Sequence, residues 1–279
     1  MSPATILNGK EIAKKLLARI SKDVSEIRAK NKVLALSTIR VGENQDALIY
    51  ASAIENLFKK LNIRYVPHAF PEKVSESELI KQIVKLNADP EITGIMLFSP
   101  LPPALNSTSL MNAVEVSKDV EGRRVLQGSG NRVAPPTALA CMALIEAVSP
   151  DLEGKEAVVV GRSDVVGKPV ALLLIDKRAT VTVCNSKTKN LEERVRRADI
   201  LIATAGKPNL IKGAWIKPGA IVIDVGENIV DGKPVGDVEF ETAKEVAGYL
   251  TPVPGGVGPV TNAMLVKNLL SLHQWKEKL

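Results

Sequence analysis

The stretch Val158-Val159-Val160-Gly161-Arg162-Ser163-Asp164-Val165-Val166-Gly167-Lys168-Pro169 runs from an apolar strand through a glycine turn into a helix that opens at the second glycine. Such a turn aims backbone N–H groups and the positive end of a helix dipole at one place, where a phosphate is stabilised. The spacing excludes a Walker loop, because five residues separate the glycines and Pro169 stands where that loop needs Ser or Thr. It also departs from GxGxxG: Ser163 replaces the middle glycine and the spacing is one residue longer. Taken alone, these twelve residues fit an ordinary strand-to-helix turn equally well.

Working outward, strands and helices alternate on both sides. Downstream, residues 179–184, 200–204 and 220–225 read as short buried strands, and 166–176 and 191–197 as helices. Residues 226–236 read as a hairpin around Asp231-Gly232. Residues 251–259 are too rich in Gly and Pro for either element, and 261–276 form a last helix. Upstream, strand patterns at 33–41, 64–70 and 94–98 enclose helical ones at 47–61 and 76–86. A helix over 137–148 follows Pro135-Pro136. This rhythm predicts an α/β fold with parallel sheets covered by helices on both faces.

The end of the strand after the glycine turn bears on the ligand. An NAD site places Asp or Glu there to hold the ribose hydroxyls. Here the segment is Cys184-Asn185-Ser186-Lys187-Thr188, without a carboxylate. Ser186, Lys187 and Arg162 can instead surround a 2′-phosphate, so charge favours NADP over NAD.

Composition narrows the class. The 279 residues allow one large or two ordinary domains, and 45% hydrophobic with 24% charged residues is globular rather than disordered. A net charge of +6 invites a nucleic-acid reading, but aromatics are only 3% and bases alternate with acids, so solvated helix faces are favoured. Two cysteines, Cys141 and Cys184, make neither a disulfide framework nor a CxxC metal site. The first residues lack the apolar core of a secretion signal, and no apolar run reaches membrane-spanning length. A cytoplasmic protein binding neither nucleic acid, membrane nor metal is expected.

The motifs Gly161-Arg162-Ser163…Val166-Gly167-Lys168-Pro169, residues 181–188, Ala205-Gly206-Lys207-Pro208, Val222-Ile223-Asp224-Val225-Gly226 and Thr251-Pro252-Val253-Pro254-Gly255-Gly256-Val257-Gly258-Pro259 come in one order. Val41-Gly42…Tyr50, Gly94-Ile95…Pro100-Leu101-Pro102 and Lys118-Asp119-Val120-Glu121-Gly122 precede them. Together they resemble the methylenetetrahydrofolate dehydrogenase/cyclohydrolase family over nearly the whole chain. The resemblance implies two α/β lobes, the second a Rossmann-like NADP-binding domain, with an active-site cleft between them. The folate-binding catalytic lobe is expected at residues 1–136 plus 262–279 and the NADP lobe at 137–261. It further implies a folate-type substrate and a homodimer built through the NADP lobe. Tyr50 is the implied catalytic residue; Tyr50, Phe98, Glu121, Gly258 and Pro259 would bind substrate. Gly161, Arg162, Ser163, Gly167, Ser186, Lys187, Glu227 and Thr261 would bind cofactor.

Departures from the family pattern shape the expected activity. Ile54 occupies the position of the family's active lysine, Asn56 that of a second lysine and Phe98 that of a glutamine. Glu121 replaces an aspartate, Asn185 a frequent histidine and Glu227 a frequent isoleucine. Hydride transfer from the folate methylene bridge asks mainly for placement of two rings. Hydrolysis of the methenyl product needs proton transfer, which Ile54 and Phe98 cannot perform. The sequence therefore predicts an NADP-dependent 5,10-methylenetetrahydrofolate dehydrogenase of one-carbon metabolism whose cyclohydrolase activity is lost. The alternatives are a bifunctional enzyme, a non-catalytic NADP-binding relative serving as partner or regulatory subunit, and a related oxidoreductase acting on a different pterin or small substrate.

Overall fold

The computed structural model describes residues 3–123 and 133–278, which include every expected site residue. Contacts divide the chain into Met1–Leu16 with Pro135–Met264, and Leu17–Ala134 with Leu265–Leu279. In chain order the first elements are β1 (Thr5–Ile6), α1 (Gly9–Ala29), β2 (Ala35–Val41), α2 (Gln45–Lys60), β3 (Arg64–Phe70), α3 (Glu76–Ala88), β4 (Gly94–Leu97) and α4 (Ser107–Ala113). After them come α5 (Pro136–Glu146), β5 (Glu156–Val160), α6 (Gly167–Asp176), β6 (Thr180–Cys184), α7 (Leu191–Val195), β7 (Ile200–Ala203) and β8 (Ile221–Asp224). The rest are β9 (Asn228–Val230), β10 (Lys233–Val235), α8 (Phe240–Lys244), β11 (Tyr249–Leu250) and α9 (Val257–Lys276).

The unit holding Leu17–Ala134 is built on a parallel sheet in the order β3-β2-β4. Its central strand β2 alternates between two apolar clusters, as a strand buried on both faces must. Leu36 joins Met96, Phe98, Ile54 and Phe58, whereas Ala35, Ile39 and Val41 join Ile95, Leu97, Leu79 and Ile83. α2 opens where Asn44 accepts a hydrogen bond from the Ala47 N–H (3.0 Å), and Lys59 and Lys60 close it against the negative helix end. Ser75 caps α3 in the same way through Glu78 (3.2 Å). The ammonium of buried Lys118 donates to the Leu86 and Asp89 carbonyls (2.8 and 2.5 Å) at the other end of α3. Burial, the larger influence, pushes the Lys118 pKa down. Ile95 pairs in parallel with Asp119, so residues around Lys118 run along β4 and carry Glu121 to its end.

The other unit is a six-stranded parallel sheet in the order β1-β11-β8-β7-β5-β6. From β5 the chain crosses through α6 to β6 on one side, then returns to β7 on the other. Ligands of doubly wound sheets sit at such a switch, outside the carboxyl ends of the strands. The hairpin β9–β10 turns at Asp231 and Gly232, both with positive φ (51° and 74°), as a type I′ turn requires.

Several features differ from the sequence expectations, among them the helices α1, α4 and α8, which were not expected. Residues 1–16 group with the doubly wound unit, because β1 pairs with β11 (Thr5↔Tyr249, Ile6↔Leu250). The last helix starts at Val257 rather than residue 261, inside the segment read as a loop. Pro259 is tolerated there because first-turn N–H groups have no partner within the helix. The two-residue strands β1 and β11 are too short to leave a periodic signal. No described helix is long and apolar enough to cross a membrane.

Candidate active site

At the end of β5 the backbone leaves through Gly161 with φ +135°. A Cβ here would lie 2.1 Å from the Thr204 carbonyl oxygen, so only glycine lets the ends of β5 and β7 approach this closely. At Gly167, where α6 begins, a Cβ would lie 2.4 Å from the Gly161 carbonyl oxygen. The Ser163 hydroxyl oxygen accepts from the Val166 and Gly167 N–H groups (both 3.3 Å), which ties the turn to the residues where α6 begins. Among the described residues, the backbone N–H groups of Arg162, Ser163, Asp164 and Val165 meet no acceptor. The turn is thus free to hold an anion.

β6 ends beside this turn, and the Cys184 carbonyl accepts from the Gly161 N–H (2.9 Å). Asn185 folds the next residues back: its Oδ1 accepts from the Lys187 N–H (2.9 Å), and its own N–H donates to Thr188 Oγ1 (2.8 Å). That turn presents Ser186 and Lys187 to solvent. Lys168 pairs with Asp164, whereas neither Arg162 nor Lys187 makes a salt bridge with a described residue. Glu227, exposed, follows β8; a Cβ on Gly258 would lie 3.7 Å from its Oε1. Gly258, Pro259 and Thr261 lie in the first turns of α9, where Thr261 Oγ1 donates to the Val257 carbonyl (3.2 Å).

Two buried aspartates brace these strand ends. The Asp237 carboxylate, fully buried, accepts from the Ala205, Gly206 and Lys207 N–H groups (2.5, 2.9 and 2.8 Å) and from Asn228 Nδ2 (2.9 Å). Asp224 accepts from the N–H groups of Gly226, Asp237 and Val238 (2.9, 3.0 and 2.9 Å). Burial pushes the Asp224 carboxyl up to about 6, against those three donors, which hold it down. Asp237 was not legible as a site residue, since it simply follows the hairpin at Gly236 and four of its partners come from elsewhere in the chain.

In the other unit the structure brings Tyr50, Ile54 and Phe98 together. Tyr50 meets Phe98 edge to face (centroids 5.9 Å, 89°), a favourable aromatic geometry. Ile54 is wholly buried in the cluster that contains Phe98, and Asn56 is exposed. Glu121 Oε2 accepts from the Leu97 N–H (3.3 Å), so its carboxylate sits at the end of β4, next to Phe98. Its Oε1 is paired with Arg123 at 2.7 Å, a partner that no sequence motif singled out.

Sequence profiles cover both halves. The one described as "Tetrahydrofolate dehydrogenase/cyclohydrolase, catalytic domain" matches residues 7–121, and the corresponding "NAD(P)-binding domain" matches residues 135–277. The chain belongs to the tetrahydrofolate dehydrogenase/cyclohydrolase family. It is 44% identical over 273 residues to the "Bifunctional protein FolD 2" of Geobacter metallireducens, covering 96% of each chain. The crystal structure of the bifunctional FolD enzyme from Campylobacter jejuni superposes with a TM-score of 0.94 at 36% identity, over 99% of this chain and 100% of that one. The Trypanosoma brucei FolD structure, "complexed with NADP cofactor and inhibitor", gives 0.93 at 34% identity over the whole of both chains.

Family membership of this kind corrects the expected function. A dehydrogenase with its cyclohydrolase activity lost does not stand: profiles of the family named for both activities match both halves, and relatives alike over nearly the full chain are named bifunctional. The side chains at 54 and 98 are two positions in a family pattern that is kept from end to end.

Proposed function

We propose that this chain is a bifunctional enzyme that oxidises 5,10-methylenetetrahydrofolate with NADP and hydrolyses the methenyl product. The observation that carries this reading is the match of both halves to one family, with bifunctional relatives similar over almost the entire length. For the cofactor, the unit with the six-stranded sheet offers the open N–H groups of the Gly161 turn for the pyrophosphate. Arg162, Ser186 and Lys187 at the ends of β5 and β6 suit a 2′-phosphate. Glu227, Gly258 and Thr261 lie at the ends of neighbouring elements. When bound, NADP accepts the hydride. The folate falls to the other unit, with Tyr50 and Phe98 as ring contacts and Glu121 as the polar anchor.

In this reading Ile54, standing at the position of the family's lysine, shapes an apolar wall and transfers no proton. Placing the hydrolytic water then rests on groups other than residue 54, with the Tyr50 hydroxyl foremost. A homodimer through the NADP-binding unit fits the exposed apolar side chains Leu172 and Ile175 of α6 and Val183 of the edge strand β6.

With methylenetetrahydrofolate and NADP, near-ultraviolet absorbance of the methenyl species is expected to rise and then decay faster than in enzyme-free buffer. Absorbance that persists at the uncatalysed rate would defeat the bifunctional reading, and absence of any rise would defeat the dehydrogenase. Cofactor choice is tested separately. NADP is expected to bind at least about tenfold more tightly than NAD, a difference of about 1.4 kcal/mol. Arg162→Ala should narrow that gap by weakening NADP alone; equal dissociation constants in the parent, measured by calorimetry, would refute it.

A further inference from the structure

Glu121 and Arg123 form the most enclosed ion pair among the described residues, with side chains only 16% and 17% exposed. Neither group is saturated. A carboxylate offers about four lone-pair sites, and here one is taken by the Leu97 N–H and one by Arg123. Arg123 reaches the Leu97 carbonyl and Ser99 Oγ only at 3.4 Å each and Met111 Sδ at 3.1 Å. Its Nε is buried and meets no acceptor among the described residues. A buried donor left unpaired is unfavourable, and a guanidinium short of acceptors is poised to take one from a ligand.

An acceptor and a cationic donor held side by side complement a ring edge that carries N–H donors next to a carbonyl. The 2-amino-4-oxo edge of a reduced pterin has that pattern: the amino group and the ring N–H donate, and the 4-oxo oxygen accepts. We infer that Arg123 is a specificity-determining residue, its guanidinium taking the 4-oxo oxygen of the pterin while Glu121 takes the neighbouring N–H groups. This rests on the folate reading above. A 4-amino ring would turn a donor toward the guanidinium, and a protonated one would add like charge. Sites built for a hydrogen bond reject ligands that cannot complete it.

The test is calorimetric binding of tetrahydrofolate and its 4-amino-4-deoxy analogue to the NADP-saturated protein, without oxygen. The parent is expected to prefer the 4-oxo ligand by at least about tenfold. Arg123→Leu should cut the preference at least about threefold by weakening the 4-oxo ligand, the remainder coming from Glu121, which the 4-amino ring deprives of the ring N–H. Arg123→Lys should restore part of the preference. Arg123→Gln, closer in shape, reads the same ratio should the leucine variant not fold. A merely structural role would weaken both ligands together, so an unchanged ratio in the variants overturns the inference and leaves the folate reading standing. A parent that binds NADP but neither folate overturns both.

Discussion

Replacing Asp237 with alanine should cost about 3–5 kcal/mol of stability and most of the NADP affinity. Four N–H donors converge on this fully buried carboxylate, three of them consecutive backbone groups at Ala205, Gly206 and Lys207. Each donor left without an acceptor costs about 1–3 kcal/mol, and entering water can relieve only part of it. Asp237→Asn should be nearly as damaging, because all four partners are donors and an amide would turn its own N–H groups toward two of them. The turn these bonds shape lies at the end of β7, across the switch point from the Gly161 turn. Urea denaturation and NADP titration of both variants check the expectation. An asparagine variant of parental stability would show that the carboxylate charge is not what organises the turn.

Gly161→Ala should be comparably severe and more local. The new Cβ would press on the Thr204 carbonyl oxygen at 2.1 Å, and the backbone at φ +135° is one that residues with side chains rarely adopt. Relief requires separating the ends of β5 and β7, which also spoils the aim of the N–H groups that follow. A stability loss of about 2–4 kcal/mol and a fall in NADP affinity of at least about a hundredfold are expected. Gly206→Ala is the control. It too has a positive φ, 62°, but its Cβ would meet nothing within 4 Å, so the cost should stay near 1 kcal/mol. Similar losses for both variants would mean that backbone strain, and not the approach of the two strands, makes position 161 sensitive.

What the sequence by itself determined is the local and periodic part. The twelve residues from Val158 form the strand, turn and helix expected of them, because an apolar run, two glycines and a helix start are written in neighbours. Asp231-Gly232 turns the hairpin for the same reason: two adjacent residues tolerate positive φ. Family membership was legible because its motifs occur in order along the whole chain. The tertiary structure alone decided the partners of charges. Glu121 is bound to Arg123 and to the Leu97 N–H, and Asp237 to a turn some thirty residues away. It also decided that residues 1–16 belong with the doubly wound sheet, through β1, a two-residue strand with no pattern of its own. The substitutions at 54 and 98 are visible in the sequence, but single positions do not decide the function of a chain that keeps the family pattern throughout. Side-chain roles depend on which distant groups folding brings alongside, and hydrogen bonds and ion pairs between such groups leave no period or spacing in the chain.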